Sequence, residues 1–70
     1  MMPLSFAGVG EQNTIKKICG RQDVKKHLED LGFTIGETVS VVSCANGNVI
    51  VNIRDVRVAI SREMAQKILV

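Results

Sequence analysis

Tryptophan and tyrosine are absent from this 70-residue sequence, and Phe6 and Phe33 are its only aromatic residues. Proteins that hold single-stranded nucleic acid stack bases on aromatic side chains, and two phenylalanines in separate segments supply no such platform. Histidine occurs once, as His27, so one chain cannot build a metal site of histidine spacing. Cysteine occurs twice, as Cys19 and Cys44, with no C-x-x-C pair. No pattern in the sequence holds the single imidazole near either thiol, so a nucleophilic cysteine is not indicated. Both are expected to be reduced and mostly buried as small hydrophobes. No apolar run reaches the ~18 residues that a membrane-spanning helix needs. The N-terminal MMPLSFAG has neither the basic nor the apolar region of a secretory signal. The expectation is a cytoplasmic protein that meets a membrane only through a partner.

A strong charge of one sign is also missing. Lys plus Arg number nine against seven Asp plus Glu, a formal charge of +2, which reads as an ordinary solvated surface. Gly8, Gly10 and Gly20 lack the preceding strand, the spacing and the lysine of a phosphate-binding loop. The adjacent Glu29 and Asp30 diverge on a helix and do not form an acid–base pair. The chain therefore carries no identifiable catalytic group and no cofactor site, and it reads as a binding protein rather than an enzyme.

What is present is aliphatic. Val, Ile and Leu dominate a hydrophobic fraction of 46%. The length gives one domain, residues 1–70, which removes only roughly 60% of its unfolded surface from water. Nearly every large aliphatic side chain must be buried to offset an ordering cost of about 1.5 kcal/mol per residue. After an irregular lead-in containing Pro3, Gly8 and Gly10, NTIKKICG places Ile15 and Ile18 among basic residues and reads as a first strand of imperfect alternation. From Asp23, placed to cap a helix, Val24, His27, Leu28 and Leu31 recur at i, i+3, i+4 and i+7. Gly32 then stands where a left-handed residue ends a helix, and Gly36 supports a second tight turn.

From Thr38 the period becomes two. Val39 and Val41 share one face, Asn46-Gly47 marks a hairpin, and Val49, Val51 and Ile53 continue the alternation. A second turn at Asp55 leads to Val56, Val58 and Ile60. Ser61 can cap a short helix with Met64, Ala65 and Ile68 inward, and the final ILV can return as a closing strand. The fold class expected is mainly β: a small SH3-like, partly open barrel of about five strands, with one α-helix after the first strand and a short helix before the last. Its core is expected to include Val24, Leu28, Leu31, Val39, Val41, Val51, Ile53, Val58, Ile60 and Ile68.

Candidate interface residues follow from the same reading. His27 lies at the margin of the helix stripe, as a packing or surface residue or as a contact to a partner. Leu31 and Phe33 flank the helix end. Phe33 either folds under as the contact that accompanies such a cap or stands as an exposed anchor. Arg54, Arg57 and Arg62 flank the last turn, as dispersed charge or as a basic surface.

The order and spacing of these segments resemble the FeoA family, the small cytosolic accessory proteins of bacterial ferrous iron uptake. The resemblance rests on Leu-Gly-Phe at Leu31 to Phe33, on Gly36 before a Thr-Val strand, and on the pattern of alanines and isoleucines from Ala59 to Ile68. It covers the chain from Ile15 onward. The departure is Asp55, where the family has a glycine in the turn. The resemblance implies an SH3-like barrel and, as partner, FeoB, the membrane transporter with a cytosolic GTPase domain. Self-association stays open, as does an interface-shared metal. A similar fold ends the iron-dependent repressors, so the alternative is a barrel associated with nucleic acid or a regulator, with Lys16, Lys17, Arg21, Lys25 and Lys26 on phosphates. The low charge and missing aromatics favour the first.

Overall fold

The computed structural model describes residues 1–70. Six strands form two antiparallel sheets: β1 (Gln12–Thr14), β3 (Thr38–Ala45), β4 (Asn48–Ile53) and β5 (Val56–Ser61) in the order β1-β3-β4-β5, and β2 (Lys17–Ile18) with β6 (Ile68–Leu69). Helix α1 spans Gln22–Asp30 and the short α2 spans Arg62–Ala65. The architecture is mainly β and open, as the periodicity indicated, with six strands in place of about five.

The extra strand comes from NTIKKICG, which is two strands rather than one. Thr14 still pairs with Thr38, but Ile15 donates to the Glu37 carbonyl at 2.9 Å and accepts from the Gly36 N–H at 2.8 Å. The next residue, Lys16, donates to Leu69 at 2.8 Å. The segment thus changes partner, and sheet, at Ile15–Lys16. Both Ile15 and Ile18 are buried, which is why the alternation looked imperfect for a single strand.

The lead-in is more ordered than its one proline and two glycines suggest. A 3-10 turn at Leu4–Phe6 buries Leu4 completely, and Met2 and Val70 exchange two backbone hydrogen bonds of 2.9 and 2.8 Å. Gly10 donates to the Val41 carbonyl at 2.9 Å, beside an irregularity in the β3–β4 register between Val41 and Ser43. An unpaired residue of this kind bends a strand and sharpens its twist, and here it lies where the lead-in meets β3.

Of the ten expected core residues, Leu28, Val39, Val41, Val51, Ile53, Ile60 and Ile68 are buried. Val24, Leu31 and Val58 are half-buried and pack against that cluster. Cys44 corrects the expectation of buried cysteines: it is exposed near the end of β3 beyond the register irregularity, two residues before the Asn46-Gly47 turn, while Cys19 is half-buried. Both thiols are free.

Two turns carry the meander. Asn46 and Gly47 have φ of 51° and 80°, and Arg54 and Asp55 have 51° and 61°. Both are two-residue connections with positive φ at each central position, the geometry that matches the twist of a hairpin. Asp55 thus occupies a left-handed position that Asp tolerates better than most residues.

Helix ends differ from expectation at one terminus. Arg21, not Asp23, is the N-cap of α1, and no side chain caps it. Asp23 lies in the first turn, where its charge is favourable near the positive end of the helix dipole, and contacts Arg21 at 3.8 Å on an exposed surface. The C-terminus is as read. Gly32 has φ of 107°, its N–H bonds Glu29, and the Phe33 N–H bonds Leu28, each at 2.9 Å. This pair of bonds is the Schellman cap, whose outer residue packs on the last turn. A Cβ at Gly32 would meet its nearest neighbours, Arg54 and Ile53, at 3.8 and 3.9 Å, ordinary contact distances. Gly32→Ala is therefore expected to cost about 1–2 kcal/mol through backbone strain alone. Thermal denaturation checks it: the melting temperature should fall by several degrees with the fold retained.

Candidate functional site

Of the interface residues expected from the sequence, the structure places four at or near the surface and one inside. His27 is exposed on α1, and Arg57 and Arg62 are exposed on β5 and α2. Leu31 is half-buried. Phe33 has no exposed surface, so it cannot be a surface anchor. It takes the other option, the apolar residue of the Schellman cap, because the turn that satisfies the α1 carbonyls brings it into the buried cluster that also holds Leu28.

These residues do not converge on one patch. The end of α1 adjoins the β4–β5 turn, since Gly32 faces Ile53 and the Arg54 side chain. Arg54 Nε then reaches Glu37 Oε2 at 3.5 Å, spanning the joint from the turn to the start of β3. Arg57 follows this turn. Arg62 stands at the opposite end of β5, where its N–H bonds the Gly47 carbonyl at 3.0 Å. The arginines mark the two ends of one strand.

Two concavities remain. On the outer face of the larger sheet, a cleft of about 270 Å³ is lined only by polar residues, among them Gln12, Glu37, Asn52, Arg54 and Asp55. Its charges are mixed, with Arg54 and Asp55 exposed and Glu37 half-buried. A broader groove of about 520 Å³ runs beside α1, with Ile18 and Ile35 in it and Lys17, Lys25 and Glu29 along it. Ile35 is 70% exposed. Sequence reading gave Ile35 no role because the turn carrying it has no period, and Phe6, 73% exposed in the lead-in, escaped for the same reason. Single exposed apolar side chains are ordinary on a folded surface, and neither marks a site by itself.

No three His, Cys, Asp or Glu side chains lie close enough together to hold a metal ion. Neither cleft contains a histidine or a cysteine. No helix is long and apolar enough to cross a membrane. What the surface offers is shape, exposed apolar side chains such as Phe6 and Ile35, and exposed strand edges.

Comparison with known proteins places this geometry. The family model described as "FeoA domain" matches residues 2–70. A provisionally assigned Fe(2+) transport protein A of Methanocaldococcus jannaschii is 37% identical over 70 residues, covering 100% of this chain and 85% of that one. A fusion of Fe(2+) transport protein A with the Fe(2+) transporter FeoB, from Porphyromonas gingivalis, is 38% identical over 69 residues. That match takes in 96% of this chain and 8% of the fusion. Among solved structures, an iron uptake regulatory protein (FeoA) superposes with a TM-score of 0.88 at 28% identity, covering 96% of this chain and 91% of that one. The FeoA of Stenotrophomonas maltophilia, described as an SH3 domain protein, superposes at 0.85 with 20% identity, covering 99% and 88%. The SH3-like fold expected from the sequence is therefore the fold observed.

Proposed function

This chain belongs to the FeoA family, and from that premise we propose that it is an accessory domain of ferrous iron transport that acts by binding the cytosolic part of a FeoB-type transporter. The observation that carries the reading is the Porphyromonas gingivalis fusion, in which a relative of this domain and a transporter share one chain. Covalent linkage raises the local concentration of two modules to the millimolar range when the tether can span their sites. Fused modules of this kind are suited to a weak, repeated contact.

The partner fixes the place of work: the domain acts on the cytoplasmic side and reaches the membrane through the transporter. His27, Arg57 and Arg62 are exposed and so open to such a contact, and Gly32, next to Leu31, faces the β4–β5 turn.

A strain lacking this chain is expected to take up radiolabelled ferrous iron more slowly, and the loss should disappear in a strain that also lacks the transporter. Equal uptake with and without the chain would overturn the accessory role. For the nucleic-acid alternative, binding to random duplex DNA at about 50 and 200 mM salt separates the readings, because a patch neutralising several phosphates gives a steep salt slope. No such slope is expected here.

A further inference from the structure

Strand β5 pairs with β4 and with nothing else. No hydrogen bond from outside the strand ladder reaches Val56 to Ile60, from backbone or side chain. Its free edge is six residues long, from Val56 to Ser61, whereas β1, at the other edge of the sheet, has three. The two-residue turn sets Ile53 opposite Val56 as the closing pair, which aims the peptide groups of Arg57 and Ala59 away from β4.

The side chains along this edge are incompletely covered as well. Val56, Val58 and Ile60 pair with Ile53, Val51 and Val49, all buried, and so lie on the inner face. Yet only Ile60 is buried; Val58 is half-buried and Val56 is 56% exposed. The core row thus opens toward the solvent along β5, where one more strand would cover it.

Charge selects the occupant. Arg57 is the only charged residue within the strand, and Arg54 and Arg62 stand at its two ends, with Asp55 and Glu63 beside them. A second copy added antiparallel in a continuous sheet would set Arg57 against Arg57 in the register centred there. In the register centred on Val58 it would set Arg54 against Arg62. Like charges placed across a ladder repel, and charged edge positions are a recognised guard against self-pairing. A strand carrying carboxylates at the same positions meets attraction instead.

We propose that the β5 edge is a docking site for an extended segment of a protein partner in which apolar and acidic residues alternate, added as a fifth strand to the larger sheet. Backbone pairing with Arg57 and Ala59 supplies register, the apolar residues extend the row of Val56 and Val58, and the acidic residues face the arginines. The proposal rests on the binding reading above and names the mode of contact.

The test is a titration of isotope-labelled protein with the synthetic peptide acetyl-Glu-Val-Glu-Ile-Glu-Val-Glu-amide, followed by NMR amide shifts. The expected result is saturable binding with the largest shifts at Arg57 and Ala59, and weaker binding to the same peptide with lysine for glutamate. Ala59→Pro removes an outward N–H that no bond inside the fold uses, a placement that edge strands tolerate, and is expected to weaken binding at least tenfold. Arg57→Glu, an exposed substitution, serves as the second variant and should weaken it about fivefold while reversing the preference between the two peptides. Shifts confined to the groove beside α1, no binding, or equal affinity of both variants would overturn the proposal. The cytosolic part of the transporter separates this failure from that of the broader reading: binding that survives both substitutions keeps the partner and ends the β5 mode.

Discussion

Phe33→Ala is expected to destabilise the domain by about 3–5 kcal/mol, the range for truncating a buried phenylalanine. The total stability of a domain of this length is of order 4–10 kcal/mol, so the variant should be marginally folded or unfolded at room temperature. The expectation follows from position. Phe33 is fully buried, its N–H satisfies Leu28, and the two side chains join the helix end to the sheet within one cluster. Removing the ring leaves a cavity at the point where α1, the joint and the larger sheet meet. Urea denaturation reads the effect as a lower midpoint at unchanged slope. A loss below about 1 kcal/mol, well under the range for a buried phenylalanine, would place the ring outside the core and restore it as a surface candidate.

The second large effect is expected from Leu4→Ala, at about 2–5 kcal/mol. Leu4 is fully buried although it belongs to a lead-in with no period. Around it, Met2 and Val70 exchange hydrogen bonds, Pro3 bridges Leu69, and Lys16 bonds Leu69. Loss of the Leu4 side chain should loosen this seam first. Amide exchange should therefore speed up at Met2, Lys16 and Val70 before it does in β3 and β4. If Leu4→Ala left both stability and these amides unchanged, the lead-in would be an ornament on the fold rather than part of its core.

The contrast between Phe33 and Leu4 shows where sequence reading succeeds. Val39, Val41, Val51, Ile53 and Ile60 were legible because a sheet with one wet face imposes a period of two. Gly32 and Ser61 were legible because helix ends need specific chemistry: Gly32 adopts positive φ, and Ser61 accepts the Met64 N–H at 3.1 Å. Leu4 was not legible, since its burial depends on the C-terminus returning beside it, a contact between the two ends of the chain. The sheet change at Ile15–Lys16 was hidden for a similar reason: its cause is the choice of partner, Glu37 on one side and Leu69 on the other, which no local pattern encodes.

The candidate surface was less legible than the core. His27, Arg57 and Arg62 are exposed as residues of their type usually are, which marks no site by itself. Phe33 drew attention as an aromatic in a turn, yet it is buried, and the exposed aromatic is Phe6. The free edge of β5 is a property of strand order and appears only once the sheet is assembled.

The most direct measurement for the account as a whole is a titration of purified, isotope-labelled protein with the purified cytosolic part of the cognate ferrous iron transporter. Saturable, one-to-one binding, with amide shifts gathered on one face and the core amides of β3 and β4 unmoved, is the result expected of a domain that works by contact. No binding at the highest soluble concentration, with the protein folded throughout, would contradict it.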